Sequence, residues 1–159
     1  MQRVHMDAFM QDWVGKYVAG ETYLYFCQSP TLYGFTLWGW PTEADVASLA
    51  HALTVELRDT TLPHVSLVDT RRIAHADPGA FGVLNTYVRN NFELLKRKVQ
   101  QLALVRPGGL EGAVVAGFFQ VLQPPTPSTW WRMSSRGFAA WASRTWTPWR
   151  WPWTARTCR

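Results

Sequence analysis

The stretch VSLVDTRRIAHADPGAF, residues 65–81, decides the fold because it contains a buried strand, a polar segment and a helix start in that order. The apolar run Val65–Val68 predicts a short strand that ends at Asp69. Asp77 followed by Pro78 predicts the start of a helix, since aspartate is a favoured N-cap and proline at the first helical position sacrifices no hydrogen bond. A strand that leads into a helix in this way indicates an α/β protein.

Upstream of this stretch, two segments predict a β-hairpin and a helix follows them. Residues 22–28 and 33–39 are rich in aromatic and β-branched side chains, and a short turn sequence separates them. A helix is predicted to begin near Thr42, and its apolar stripe is Val46, Leu49, Ala50, Leu53 and Leu57. Residues 1–20 show a weak helical pattern around Met6–Trp13 and receive no assignment.

Downstream, the helix that begins at Pro78 is predicted to bury the stripe Phe81, Leu84, Val88, Phe92, Leu95 and Val99. A strand at Gln101–Val105 and a third helix at Leu110–Leu122 follow. The order β-β-α-β-α-β-α predicts an α/β fold, a mostly parallel sheet with an antiparallel N-terminal hairpin and helices packed on it. We therefore expect one domain over residues 1–123 and an irregular C-terminal tail over residues 124–159.

Candidate binding residues lie in the two segments that follow the predicted parallel strands. Ligands of open α/β sheets bind beyond the carboxyl ends of such strands. The candidate ligand-contacting or partner-contacting residues there are Asp69, Thr70, Arg71, Asp77, Arg106, Gly108 and Gly109. The alternative interpretation is structural: the two aspartates cap local backbone amides or the helix, and the arginines are solvated.

No motif in the sequence specifies an enzyme, a metal site or a cofactor. Ser66 lies in an apolar strand without a GxSxG pattern, and Cys27 has no evident histidine partner. The histidines stand singly, without metal-ligand spacing, at His5, His51, His64 and His75. We expect a non-catalytic protein without metal or cofactor. A cytoplasmic location is expected because the N-terminus lacks a secretory pattern and the longest apolar stretch, residues 112–122, is too short to span a bilayer.

The strand and helix order, together with the helix start at Asp77, resembles the sulfate transporter and anti-sigma factor antagonist (STAS) domain over about residues 20–123. In regulatory members of that family, the corresponding helix opens with Asp-Ser-Ser-Gly-Leu-Gly, and the first serine is phosphorylated. This chain has Asp77-Pro-Gly-Ala-Phe-Gly82, so Pro78 stands at the phosphoacceptor position. The resemblance implies regulation through an unidentified protein partner, without the phosphorylation switch.

Three segments look similar to a STAS-like group of bacterial proteins in which the domain often precedes an AraC-type helix-turn-helix region. They are Leu37–Gly39, Val68–Arg71 and the segment from Leu104 to Phe119. This likeness implies the sensory part of a transcription regulator. Residues 1–159 contain no recognisable helix-turn-helix sequence of their own.

The net charge of +5 belongs to the tail and not to the predicted domain. Residues 1–123 carry ten Lys and Arg against eleven Asp and Glu, whereas residues 124–159 carry six Arg, seven of the ten Trp and no acidic residue. Indole rings and arginines suit a membrane surface, and they equally suit stacking on bases of single-stranded nucleic acid. Direct membrane or nucleic-acid binding through the tail is therefore the alternative function.

A frameshift is a further interpretation of the same residues, and the genetic code bears on it. Tryptophan has a single codon, so Trp130-Trp-Arg-Met-Ser134 can be written TGG TGG AGG ATG TCN. The frame one base earlier can encode Val-Val-Glu-Asp-Val, which has the composition of a strand and an acidic helix start. We expect residues from about Thr126 onward to be out of frame and the domain to lack its last strand. The coding DNA tests this.

Overall fold

The computed structural model describes residues 1–75, 77–105 and 131–132. The strands are β1 (Gln2–Arg3), β2 (Lys16–Ala19), β3 (Tyr23–Ser29), β4 (Leu32–Gly39), β5 (His64–Ile73), β6 (Val99–Val105) and β7 (Trp131–Arg132). The helices are α1 (Met6–Gln11), α2 (Glu43–Leu53), α3 (Pro78–Asn90) and α4 (Phe92–Lys98), and a 3₁₀ helix (Thr54–Leu57) follows α2.

The described strands form one sheet whose spatial order, β1 to β7, is the order of the chain. Strand β3 is antiparallel to both β2 and β4, and the other neighbouring pairs are parallel. This confirms the predicted α/β fold with a mostly parallel sheet and an antiparallel β3–β4 hairpin.

Alternation along the strands gives each face of the sheet its own apolar cluster. On the face covered by α2 and α3, the buried strand residues include Tyr25, Phe35 and Val68, which pack with residues of α2 such as Leu49. On the opposite face, a smaller cluster consists of Phe26, Leu67, Ala103 and Val105. The main core therefore lies between the sheet and the helices.

Both predicted helix starts are confirmed in atomic detail. Thr42 and Asp45 form a capping box, in which the Thr42 side chain accepts from the Asp45 amide and the Asp45 carboxylate accepts from the Thr42 amide. Asp77 caps α3, and its Oδ1 accepts from the Gly79 amide at 2.9 Å. These side chains satisfy backbone donors that a helix leaves unpaired at its first turn.

The predicted end of the central strand at Asp69 is wrong. Strand β5 continues to Ile73, because Trp38 and Gly39 of β4 pair with Arg72 and Ile73 after a register shift. Ile73 is buried against the main core. The polar residues 69–72, three of which are charged, therefore belong to the sheet and not to a loop.

Two further boundaries differ from the prediction. The unassigned residues 1–20 form β1, α1 and β2, so β3 has a partner on each side. The helix predicted to run from Pro78 to Val99 is divided at Asn91, and Val99 begins β6.

Of the C-terminal part after residue 105, the structure describes only residues 131–132. The predicted helix Leu110–Leu122 lies outside the described residues. Backbone pairing of β7 with Ala103 and Leu104 of β6 is parallel. The reading frame from Thr126 onward stays a prediction for the coding DNA. Among the described helices, none combines the length and apolar character needed to cross a membrane.

Candidate functional site

The predicted site residues Asp69, Thr70 and Arg71 lie on β5 and divide between the two faces of the sheet. Asp69 and Arg71 share one face and form an ion pair, with Arg71 Nη2 at 2.6 Å from Asp69 Oδ2. Asp69 Oδ1 also accepts from the Arg71 amide at 3.1 Å. Hydrogen bonding to Asp69 raises the pKa of Arg71 above its ordinary value.

The other predicted site residues do not join this pair in one pocket. Thr70 points to the opposite face, where it is buried and donates to the Val105 carbonyl at 3.1 Å. Asp77 serves as the N-cap of α3. The predicted residues Arg106, Gly108 and Gly109 lie outside the described part of the chain.

A cluster of four buried polar side chains lies within the main core, and we call it the Glu56 cluster: Tyr25, Glu56, His64 and Ser66. Glu56 is 3% exposed and lies on the 3₁₀ helix after α2. Its Oε1 accepts from the Tyr25 hydroxyl at 2.9 Å. Its Oε2 accepts from the Ser66 hydroxyl at 3.0 Å and lies 3.0 Å from Nε2 of His64. One carboxylate thus holds together β3, β5 and the 3₁₀ helix.

Both ring nitrogens of His64 have acceptors. Nδ1 lies 2.9 Å from the Leu62 carbonyl, which can only accept, so this nitrogen carries a proton. Nε2 then donates to an ionised Glu56, or accepts a proton from a neutral one. In either state the pair shares a proton across 3.0 Å in a buried site. His64 has no free nitrogen with which to deprotonate Ser66, so these residues are not arranged as a serine nucleophile with its base.

An aromatic side chain of β4, Tyr33, packs against the cluster. The Tyr33 ring packs against His64 with centroids 4.5 Å apart, and its hydroxyl accepts from Trp13 Nε1 at 3.0 Å. Burial raises the pKa of Tyr33 to about 12 and raises the pKa of Tyr25 well above its ordinary value. Both phenols are therefore neutral at physiological pH, and their hydroxyls form hydrogen bonds within the core.

Burial also controls the thiol of Cys27, which is 0% exposed and has its pKa raised to about 12. We expect Cys27 in a Cys158→Ser variant to resist a disulfide reagent at about pH 8 until urea unfolds the chain, since the thiolate is the reactive form. The raised pKa contributes stability that is complete below the ordinary thiol pKa of 9.0 and is lost as the pH rises from there toward 12. Rapid labelling of the folded variant would contradict this placement of Cys27.

A cavity of about 140 Å³ lies between the sheet and helices α3 and α4. Apolar and aromatic side chains form most of its wall, among them Phe35, Leu84, Tyr87, Val88, Phe92 and Leu102. Glu56 and Ser66 of the Glu56 cluster also line it. The exposed residues Lys96 and Gln100 mark the side on which it meets solvent.

A second feature of the surface is an exposed pair of aromatic rings, Trp40 and His75, at the carboxyl end of β4. The Trp40 side chain is 69% exposed, and its ring lies 5.0 Å from the ring of His75. His75 is bound through its amide to the Gly39 carbonyl, which fixes the segment that leads to Asp77. Trp40 and His75 thus lie beside the start of α3.

The Glu56 cluster was not predicted from the sequence, although one signal was available. Glu56 is three residues after Leu53 and seven after Leu49, which places its side chain on the buried face if the helix continues. An acid on an apolar stripe requires a partner, because an unpaired buried charge is strongly unfavourable. Its partners His64 and Ser66 stand as isolated residues in the sequence, and the fold brings both within 3.0 Å of the carboxylate.

No three His, Cys, Asp or Glu side chains converge as metal ligands within the described ranges. No protein-family model, no curated protein and no solved structure matches the chain.

Proposed function

We propose that the chain is a non-catalytic regulatory domain of the STAS type, located in the cytoplasm, that acts by binding a protein partner and belongs to the sensory part of a transcription regulator. The observation that carries the proposal is that every side-chain donor of the Glu56 cluster is engaged in a hydrogen bond. Tyr25, Ser66 and His64 all bond to one carboxylate, and the second ring nitrogen of His64 bonds to a carbonyl. Such groups stabilise a core and are not poised for bond-making chemistry.

The helix that opens at Asp77 supports the same proposal. Its first turn carries Pro78 where regulatory STAS domains carry a phosphorylated serine, so this surface is constant in charge. Trp40 and His75 lie beside it, and a large exposed aromatic group is a common anchor at protein interfaces. We therefore assign the partner-binding surface to Trp40, His75 and the first turn of α3.

Site-specific cross-linking tests this assignment. A photoreactive phenylalanine analogue at Trp40 is expected to yield one discrete adduct with a partner in cells. The control position is Val14, which is 43% exposed but precedes β2 at the opposite end of the strands. Substitution of His75→Glu should abolish the adduct at position 40. Absence of an adduct at position 40, or equal adducts at both positions, would contradict the proposed surface.

A second candidate function rests on the composition of residues 124–159, which carry six Arg, seven Trp and no acid. In this alternative, the tail binds anionic membranes or single-stranded nucleic acid. A chain with Trp149→Ser, Trp151→Ser and Trp153→Ser is compared with the unaltered chain for binding to phosphatidylglycerol vesicles and to oligothymidine. Loss of binding in the variant favours the second function, and equal behaviour of the two chains favours the first.

A further inference from the structure

We propose that the cavity between the sheet and helices α3 and α4 binds a small monocyclic phenol, whose hydroxyl is recognised by Ser66 and Glu56. This binding is additional to the proposed function, because the site lies inside the domain and its occupancy can be measured whether or not a protein partner is identified. Three properties of the cavity support it: its size, the apolar character of most of its lining and the two buried polar residues, Ser66 and Glu56, that line it.

The size of the cavity fits a single aromatic ring. Its volume is about 140 Å³. An apolar cavity of about 150 Å³ in another protein binds benzene. A molecule with one six-membered ring and one or two small substituents therefore fits this space.

The walls favour an aromatic ligand over a polar one. Phe35, Tyr87 and Phe92 contribute rings, and most of the other lining residues are aliphatic. The Tyr87 hydroxyl is already used, since it donates to the Leu53 carbonyl at 3.1 Å. Most of the ligand surface would thus meet apolar atoms, as is usual for sites that bind small molecules.

Ser66 and Glu56 favour a ligand that carries a hydrogen-bond donor. The Ser66 hydroxyl is spent as a donor to Glu56, so its oxygen is left to accept, and none of the described residues donates to it. Glu56 Oε1 accepts from Tyr25 and has capacity for a second donor. Ser66 and Glu56 are 7% and 3% exposed, which makes these acceptors effective in a medium of low dielectric constant. A neutral hydroxyl can donate its one proton to either acceptor, whereas a carboxylate ligand has no proton to donate and would place its oxygens against these acceptors.

Binding of matched probes to the full chain tests the proposal. p-Cresol and toluene share shape and differ in the hydroxyl, and p-toluate replaces that hydroxyl with a carboxylate. We expect p-cresol to bind about tenfold more tightly than toluene, as follows from one hydrogen bond of about 1.4 kcal/mol to a buried acceptor. We expect p-toluate not to bind. Calorimetry gives the affinities, and methyl shifts of Leu84, Val88 and Leu102 in nuclear magnetic resonance spectra locate the site.

Three variants complete the test. Ser66→Ala should reduce the preference for p-cresol over toluene to below about threefold, because one acceptor is lost. Ser48 does not line the cavity, and its hydroxyl lies 2.6 Å from the Tyr23 hydroxyl. Ser48→Ala should therefore leave the preference unchanged. Val88→Phe should abolish binding of both probes by filling the space.

Several results would overturn the proposal. Equal affinity for p-cresol and toluene would refute recognition by Ser66 and Glu56. Unchanged binding in Val88→Phe, or methyl shifts elsewhere in the domain, would place the ligand outside the cavity. Failure of both probes to bind the unaltered chain would remove the proposal altogether, and this last result needs no variant to fold.

Discussion

Replacement of Glu56 with alanine is expected to lower the free energy of unfolding by about 3–5 kcal/mol, because three buried polar groups lose one shared partner and each such loss costs about 1 kcal/mol or more. The substitution leaves the Tyr25 hydroxyl, the Ser66 hydroxyl and Nε2 of His64 without their common partner. Each of these groups is buried, so bulk water does not replace the lost hydrogen bonds. Urea denaturation followed by tryptophan fluorescence at neutral pH measures the effect.

Glu56→Gln is the matched control for this experiment. Glutamine keeps an oxygen for Tyr25 in the place of Oε1. Its amide nitrogen, in the place of Oε2, can donate to the Ser66 oxygen and to Nε2 of a neutral His64 whose Nδ1 remains bonded to the Leu62 carbonyl. We expect a loss of about 1–2 kcal/mol, well below that of the alanine variant. Equal losses in the two variants would indicate that the negative charge, and not the hydrogen bonding, is what the core requires. A loss below about 1 kcal/mol in Glu56→Ala would contradict the buried cluster itself.

The second large effect is expected at Gly34, at the centre of β4. A Cβ atom at this position would lie 2.6 Å from the Leu67 carbonyl oxygen and 2.7 Å from Cζ of Phe26. Because the first contact is with backbone, β4 and β5 must separate locally to admit a methyl group. Gly34→Ala should therefore destabilise the chain by about 1–3 kcal/mol, at the upper end of that range.

Gly82→Ala provides a control of opposite sign. Gly82 lies inside α3, and a Cβ atom there meets no atom within 4 Å. Alanine restricts the unfolded chain and favours the helix, so we expect an increase in stability of about 0.5–1 kcal/mol. The two variants are compared by the same denaturation experiment. An unchanged free energy of unfolding in Gly34→Ala would mean that β4 and β5 lie further apart at Gly34 than in the structure.

The parts of the fold that were predictable from the sequence depend on local signals. Asp77 and Pro78 specify a helix start by their own backbone chemistry, and Thr42 with Asp45 does the same for α2. The hairpin likewise follows from a short turn between two aromatic segments. These features require no knowledge of distant residues, which is why the sequence indicates them directly.

The parts that were not predictable depend on distant partners. Arg71 and Arg72 interrupt the apolar pattern that predicts a strand, so the sequence indicates a loop there. Their place in β5 follows instead from the pairing of this strand with β4. The candidate site shows the same limit. His64 and Ser66 are eight and ten residues from Glu56, and only the packing of β5 against the 3₁₀ helix makes them its partners. The predicted loop residues Asp69 and Thr70, adjacent in sequence, are separated by the sheet itself.

The agreement between sheet order and chain order has a consequence for biosynthesis. Each described strand from β2 to β7 pairs with the described strand that precedes it in the chain. As the polypeptide leaves the ribosome, each new strand can dock on an edge that already exists, so assembly can follow translation without waiting for a distant segment. In such an arrangement a translational error late in the message affects one edge of the sheet and leaves the earlier pairings intact.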